Sequence, residues 1–62
     1  MNYNTIRNNF LRGLWNVAMV TMAKKKGVIT AAQYKVILHD GVVAEIITAE
    51  EYENLTGEAY TE

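Results

Sequence analysis

The stretch Gly27-Val28-Ile29-Thr30-Ala31-Ala32-Gln33-Tyr34 contains the signals that organise the rest of the chain. A threonine hydroxyl can accept the backbone N–H three residues further on while a glutamine or glutamate there reaches back, and Thr30 and Gln33 have this capping-box spacing. The same spacing recurs at Thr48 and Glu51. The sequence therefore predicts two helix starts, one after each threonine.

A short pattern around these caps is written three times, as Gly13-Leu14-Trp15-Asn16, Gly27-Val28-Ile29-Thr30 and Glu45-Ile46-Ile47-Thr48. Each copy has a glycine or polar residue, two apolar residues and a helix-capping residue. The residue before a cap commonly packs against the fourth helical residue as a hydrophobic staple. This rule pairs Trp15 with Val20, Ile29 with Tyr34 and Ile47 with Tyr52. The pattern specifies how the chain enters its helices and contains no catalytic chemistry.

The helical spacing of the apolar residues predicts a mainly α fold, a small bundle of three to four short helices in a single domain over 1–62. Asn4 or Thr5 is expected to cap the first helix, and Gly13 to end it. One uninterrupted helix over 5–26 is the alternative, because an interior glycine costs only about 1 kcal/mol. The predicted helices cover about 5–12, 17–26, 31–38 and 49–55, followed by a tail at 58–62.

The segment 36–47 is ambiguous. Its two apolar runs flank Asp40-Gly41, so it fits either the end of a helix followed by an extended arm or a short hairpin around a two-residue turn. The β-branched residues of 42–47 favour an extended conformation. We therefore expect 42–47 to be extended, and a short β-strand or hairpin around 36–47 stays possible.

The composition favours a small protein that associates. With 62 residues, no cysteine and one histidine, the chain has no disulfide or thiolate metal site, and no metal or cofactor is expected. Half of its residues are apolar or aromatic, which is more than a monomer of this size is expected to hide. Trp15 is expected in the core. We expect a homo-oligomer, with candidate interface residues Trp15, Met19, Met22, Val42, Val43 and Ile46.

The charges are divided between the two halves of the chain. All six lysines and arginines precede His39 and all seven acidic residues follow it, for a formal net charge of −1. Local complementarity to helix dipoles explains part of this division, since Lys24 to Lys26 close one helix and Glu50 opens another. The halves can also meet within one molecule, or in a head-to-tail contact between the basic half of one copy and the acidic last helix of the next. A two-fold dimer is the rival arrangement.

Catalysis is not expected from this sequence. His39 beside Asp40 could act as a general base oriented by a carboxylate. The chain has no cysteine, however, and the candidate nucleophiles Thr48 and Thr56 are better explained by helix capping and helix ending.

A helix-turn-helix DNA-binding protein is a stronger alternative than an enzyme, because two predicted helices meet at Gly27 beside a lysine cluster. The would-be recognition helix offers only Gln33 and Lys35 as side chains able to read bases or phosphates. Nucleic acid is therefore not the favoured partner.

No stretch of the sequence predicts a membrane span. The longest near-apolar run, Gly13 to Ala23, is far shorter than the roughly 20 residues that cross a bilayer. No secretory signal is predicted either, so we expect the protein in the cytoplasm of the cell that makes it.

Two stretches carry a family resemblance. The first is Phe10-x-x-Gly13-Leu14-Trp15-Asn16-x-x-Met19-Val20, followed by Lys26-Gly27-Val28-Ile29-Thr30-x-x-Gln33-Tyr34-Lys35-x-Ile37. The second is Ile47-Thr48-x-x-Glu51-Tyr52-x-x-Leu55-Thr56-Gly57-Glu58-x-Tyr60. Both are similar to the XkdX family, short proteins of phages and prophages of Gram-positive bacteria that are often encoded between tail and lysis genes. This chain departs from the family pattern by inserting Leu38 to Ile46 before the ending is written again.

The resemblance implies a non-enzymatic phage accessory protein of the tail or lysis region, located in the host cytoplasm or in the virion tail. It implies action by self-association or by docking on a phage tail or lysis protein. A lysis-region regulator at the membrane is the alternative.

Overall fold

The structure, a computed structural model that describes residues 2–61, has four helices: α1 (Tyr3–Leu11), α2 (Val17–Lys25), α3 (Ala31–Val43) and α4 (Ala49–Thr56). The longest helix, α3, is central, because α1, α2 and α4 all pack against it. The predicted bundle of short helices is confirmed. Residues 2–61 contain no strand.

Two of the helices begin at complete capping boxes. The backbone N–H of Gln33 donates to the Thr30 hydroxyl at 3.1 Å, and the Thr30 N–H donates to the Gln33 side chain at 2.9 Å. Thr48 and Glu51 exchange the same two hydrogen bonds, each 3.0 Å long. Both predicted capping boxes are confirmed.

Asparagine side chains cap the other two helices. Asn16 accepts the backbone N–H of Met19 at 3.0 Å, as the sequence predicts for the start of α2. Asn2 accepts the N–H of Thr5, also at 3.0 Å. The first helix therefore begins at Tyr3, and the predicted cap at Asn4 or Thr5 is wrong.

The three connections between helices share one geometry, which we call the joint. Each begins at a residue of positive φ, namely Gly13 at 80°, Gly27 at 78° and Glu45 at 62°. The N–H of this residue donates to the carbonyl three residues back, and the next N–H donates to the carbonyl five residues back, over 2.8 to 3.1 Å. The second apolar residue then enters the core at Ile29 and Ile47. The repeated sequence pattern is thus one structural unit, and it separates α1 from α2 at Gly13.

The prediction for 36–47 is wrong. Helix α3 continues through Asp40-Gly41 to Val43, and what was expected as an extended arm at 42–47 is the last turn of α3 and the third joint. A Cβ at Gly41 would stand 2.6 Å from the ring of Phe10. The glycine therefore permits α1 to approach α3 and does not form a turn. Packing of this kind overrides the extended preference of β-branched residues.

The core lies between α3 and the helices around it. The predicted inward face of Tyr34, Ile37 and Leu38 is buried. Trp15 is only half-buried and packs against the edge of this core, so the expectation of a central Trp15 is wrong and Phe10 takes that place. The largest fully buried side chains are Phe10, Ile6, Ile37, Leu38 and Val20.

Two polar contacts join the helices across the core. The Arg7 Nε donates to the Asp40 carboxylate at 2.7 Å and links α1 to α3. This hydrogen bond raises the pKa of Arg7. The hydroxyls of Thr21 and Tyr34, 2.7 Å apart, link α2 to α3. The basic and acidic halves of the chain thus meet within one molecule.

The residues after α4 fold back along α3. The Lys35 ammonium pairs with the Glu58 carboxylate. The Tyr60 ring stacks on His39 with ring centroids 4.9 Å apart, so Tyr60 anchors the predicted tail. Glu62, the end of that tail, lies outside the described residues.

Candidate functional site

One face of α2 is apolar and uncovered. Val20 and Ala23 point into the core, whereas Met19 and Met22 are 42% and 49% exposed. Residues three apart on a helix are neighbours on its surface, so the two methionines form one patch. The single chain covers only the side of α2 that faces the core.

Trp15 and Val28 turn this patch into a groove, which we call the docking groove. Trp15 belongs to the first joint and Val28 to the second, so the two joints that flank α2 supply its ends. Ile6 of α1, which is fully buried, forms the floor. The groove encloses about 280 Å³ and is lined by Ile6, Trp15, Met19, Met22, Ala23, Lys26 and Val28.

The docking groove suits apolar side chains better than a cofactor. Among its described lining residues, Lys26 carries the only charge. Small-molecule sites begin near about 300 Å³ and contain several fixed polar groups, and this groove has one mobile ammonium. Methionine side chains are flexible and polarisable, which suits contacts with protein surfaces. The groove can therefore take a few apolar side chains of another chain.

A second exposed apolar surface lies where α3 ends. We call its residues Val43, Glu45 and Ile46 the acidic corner. Val43 and Ile46 are 66% and 39% exposed. Glu45 stands where the other two joints have glycine, and it forms no ion pair with any residue of 2–61. An unpaired carboxylate thus lies between two exposed apolar side chains.

The structure divides the predicted interface residues into two groups. Trp15, Met19 and Met22 come together in the docking groove. Val43 and Ile46 form the acidic corner, and Val42 is half-buried against the core beside them.

Three exposed residues of these surfaces were not predicted as interface residues. Val28 could have been found from the repeated pattern, because the first apolar residue of every joint is exposed: Leu14 63%, Val28 43% and Ile46 39%. Glu45 was detectable as the residue that replaces glycine in the third copy. Lys26 was assigned only to closing α2, and its position on the groove depends on the fold.

The residues weighed for catalysis are held by separate structural contacts. The His39 ring nitrogen Nε2 donates to the carbonyl oxygen of Thr61 at 2.8 Å, while Asp40 binds Arg7. The Thr48 hydroxyl completes a capping box. Residues 2–61 contain no group of three acidic or histidine side chains that could hold a metal ion.

The α2–α3 pair has the order of a helix-turn-helix motif, but its reading side chains are occupied. The Gln33 side chain accepts the N–H of Thr30 in the capping box. Lys35 pairs with Glu58 of the tail. Both side chains that could contact DNA from α3 thus have partners within the chain.

The helices are short, and none within residues 2–61 combines the length and the apolar composition needed to cross a membrane. Comparison of the chain with protein-family models, with curated proteins and with solved structures gave no match.

Proposed function

We propose that this chain is a non-enzymatic accessory protein that binds another protein chain through the docking groove. The observation that carries the proposal is a groove in which exposed Met19 and Met22 meet half-buried Trp15 above a buried floor. Exposed apolar surface gathered in a groove marks sites of protein contact.

Covering the docking groove is energetically favourable. Full burial of a methionine side chain contributes about 1.5–3 kcal/mol, and Met19 and Met22 keep nearly half of their surface in water. Their burial by a partner therefore contributes about 1 kcal/mol each. The groove is also held in shape by a joint at each end, so little order is lost when a partner binds.

The resemblance to the XkdX family supports a setting for this binding. In that setting the chain is a phage accessory protein of the tail or lysis region, in the host cytoplasm or the virion tail. It associates with itself or docks on a virion protein. A lysis-region regulator acting at the membrane is the alternative within the same gene region.

Site-specific cross-linking tests the groove. A photoreactive amino acid replaces Met22 in one variant and Val36 of α3 in the control, because these positions are 49% and 47% exposed. The chain is expressed from its native gene in its natural host cells. There we expect a much higher yield of cross-links to protein at Met22 than at Val36. Equal yields at both positions would contradict a docking groove on α2.

Mass spectrometry tests the setting. We expect peptides of the chain in purified phage particles. Absence from particles, together with cosedimentation with membranes, would favour the lysis-region alternative.

A further inference from the structure

The docking groove and the acidic corner are complementary in chemistry. The groove is apolar with one cation, Lys26, and the corner is apolar with one anion, Glu45. The two surfaces share no described residue. One chain therefore carries both sides of a contact.

The backbone conformation of Glu45 indicates that its side chain has a role in a contact. An L-residue in the left-handed region is strained, and glycine avoids that strain. Gly13 and Gly27 occupy the equivalent positions of the other joints, so the joint itself needs no side chain there. Strained residues concentrate at functional sites. The carboxylate thus serves something other than ending α3.

Most other charged side chains that could form a contact between two copies already have partners within their own chain. Arg7 and Lys35 are paired with acids of their own chain. In the acidic last helix, the Glu51 side chain belongs to a capping box and Glu53 accepts the N–H of Tyr60. Of the three carboxylates of that helix, Glu50 alone is exposed without a hydrogen bond or an ion pair among residues 2–61. Glu45 is also unpaired, and it stands between two exposed apolar side chains.

We propose that the acidic corner of one copy of this chain seats in the docking groove of another. Val43 and Ile46 of the first copy cover the methionines of the second, and Glu45 pairs with Lys26 of the second copy. This rests on the proposed function, because it names the partner of the same groove.

The contact is heterologous, since it joins two different surfaces, and it forms rings or open filaments according to its rotation. A standard interface takes about 800 Å² per partner, which is about a fifth of the 3989 Å² surface of the chain. A corner in a groove covers less than that. We therefore expect weak association, measurable at protein concentrations up to about 1 mM.

Two variants, each blocked on one side, test the proposal. Met22→Gln places an uncharged polar amide in the apolar groove, where the corner would have to bury it, and leaves the corner intact. The amide carries no charge that could attract a lysine at position 45. Glu45→Lys reverses the corner charge, so that it repels Lys26, and leaves the groove intact. Met22 is half exposed and Glu45 is exposed, so both variants are expected to fold, and a thermal melt of each checks this.

Analytical ultracentrifugation and NMR give the readouts. We expect wild type to associate, each variant alone to lose association by about tenfold or more, and the mixture of the two to form a one-to-one complex. With the Glu45→Lys variant labelled with ¹⁵N, the unlabelled Met22→Gln variant should shift the amide signals of Met19, Met22 and Lys26. The amide signals of Val43 and Ile46 in the labelled Glu45→Lys variant should not move.

The other outcomes overturn the inference, and they separate it from the proposed function. If Glu45→Lys associates as wild type does and Met22→Gln does not, the groove binds but the corner is not its occupant. If both variants associate as wild type does, neither the corner nor the groove is the contact. A wild-type chain that stays monomeric to about 1 mM overturns the self-contact, and the Met22 cross-linking experiment still tests the groove.

A third variant distinguishes the effect of the Glu45 carboxylate on association from its effect on stability. Glu45→Gly removes the charge and the strain together, so we expect a higher melting temperature with association weakened about tenfold. Unchanged association in this variant would show that Glu45 has no part in the contact.

Discussion

The ring of Phe10 on α1 lies where a side chain at position 41 of α3 would stand. A Cβ on Gly41 would be 2.6 Å from Cε2 of Phe10 and 3.1 Å from its Cζ. Phe10 is 1% exposed, so its ring has no open space into which it could move. The close approach of these two helices depends on the glycine.

Replacement of Gly41 by alanine should therefore destabilise the protein. Alanine gains about 1 kcal/mol in helix propensity, but overpacking of a filled core costs about 1–3 kcal/mol. We expect a net loss in urea-induced unfolding. The same substitution combined with Phe10→Leu should cost less than the sum of the two single changes, because the smaller side chain makes room. A more stable Gly41→Ala variant would show that Phe10 does not fill this space.

The capping boxes should each contribute measurably to stability. Thr30→Ala and Thr48→Ala remove the side chain that accepts the N–H of the third helical residue, and each should cost about 1 kcal/mol. Thr5→Ala, at an exposed position inside α1, is the control and should change stability by less than about 0.5 kcal/mol. Equal effects at all three positions would contradict the assignment of caps.

The joints predict opposite effects at equivalent positions. Glu45→Gly should raise the free energy of unfolding by up to about 1 kcal/mol, because it removes the strain of a positive φ. Gly27→Ala introduces that strain where no atom crowds the added Cβ, and should lower the free energy by about 1 kcal/mol or more. Chemical denaturation of both variants measures the pair. Two changes of the same sign would contradict the shared geometry of the joints.

Phe10 and Trp15 should differ in what they stabilise. Phe10→Ala opens a cavity in the core and should cost about 3–5 kcal/mol. Trp15→Ala should cost less, since Trp15 is half-buried at the core edge. It should lower the cross-link yield at Met22 while the protein stays folded. Thermal unfolding and the cross-link yield are compared in each variant. A Trp15→Ala variant as unstable as Phe10→Ala would place Trp15 at the centre after all.

The tail should detach when its aromatic anchor is removed. Tyr60→Ala abolishes the stacking on His39 and the edge contact with Tyr52, whose ring centroid is 5.4 Å away. We expect faster amide hydrogen exchange after Gly57 with little change in α1 and α2. Lys35→Gln, which removes an exposed ion pair, is the control and should have a smaller effect.

The starts of α2, α3 and α4 could be predicted because a cap involves neighbours only, whereas the predicted cap of α1 at Asn4 or Thr5 was wrong. The hydroxyl of Thr30 and the side chain of Gln33 complete each other within one turn, so four residues decide the outcome. The end of α1 at Gly13 could also be predicted, because a helix that ends in the left-handed region commonly places glycine there.

The length of α3 could not be predicted by the same means. Asp40-Gly41 has the composition of a turn, and only the ring of Phe10, far away in sequence, shows why glycine is needed there. The helix ends at Val43, and the positive φ that follows falls on Glu45, a residue type that rarely adopts it. The end of α3 was therefore visible only through the repeated pattern. For the candidate site, the neighbours Trp15, Met19 and Met22 could be grouped from sequence, whereas the involvement of Lys26 depends on how the second joint folds over α2.

Each joint completes its hydrogen bonds among its own residues and the last turn of the helix before it. A helix between two joints can therefore gain or lose a turn without disturbing either end. The 13-residue α3, against nine residues in α1 and in α2, differs by close to one turn. Insertion of whole turns, or of a helix together with its joint, would therefore leave the hydrogen bonds of the remaining joints intact.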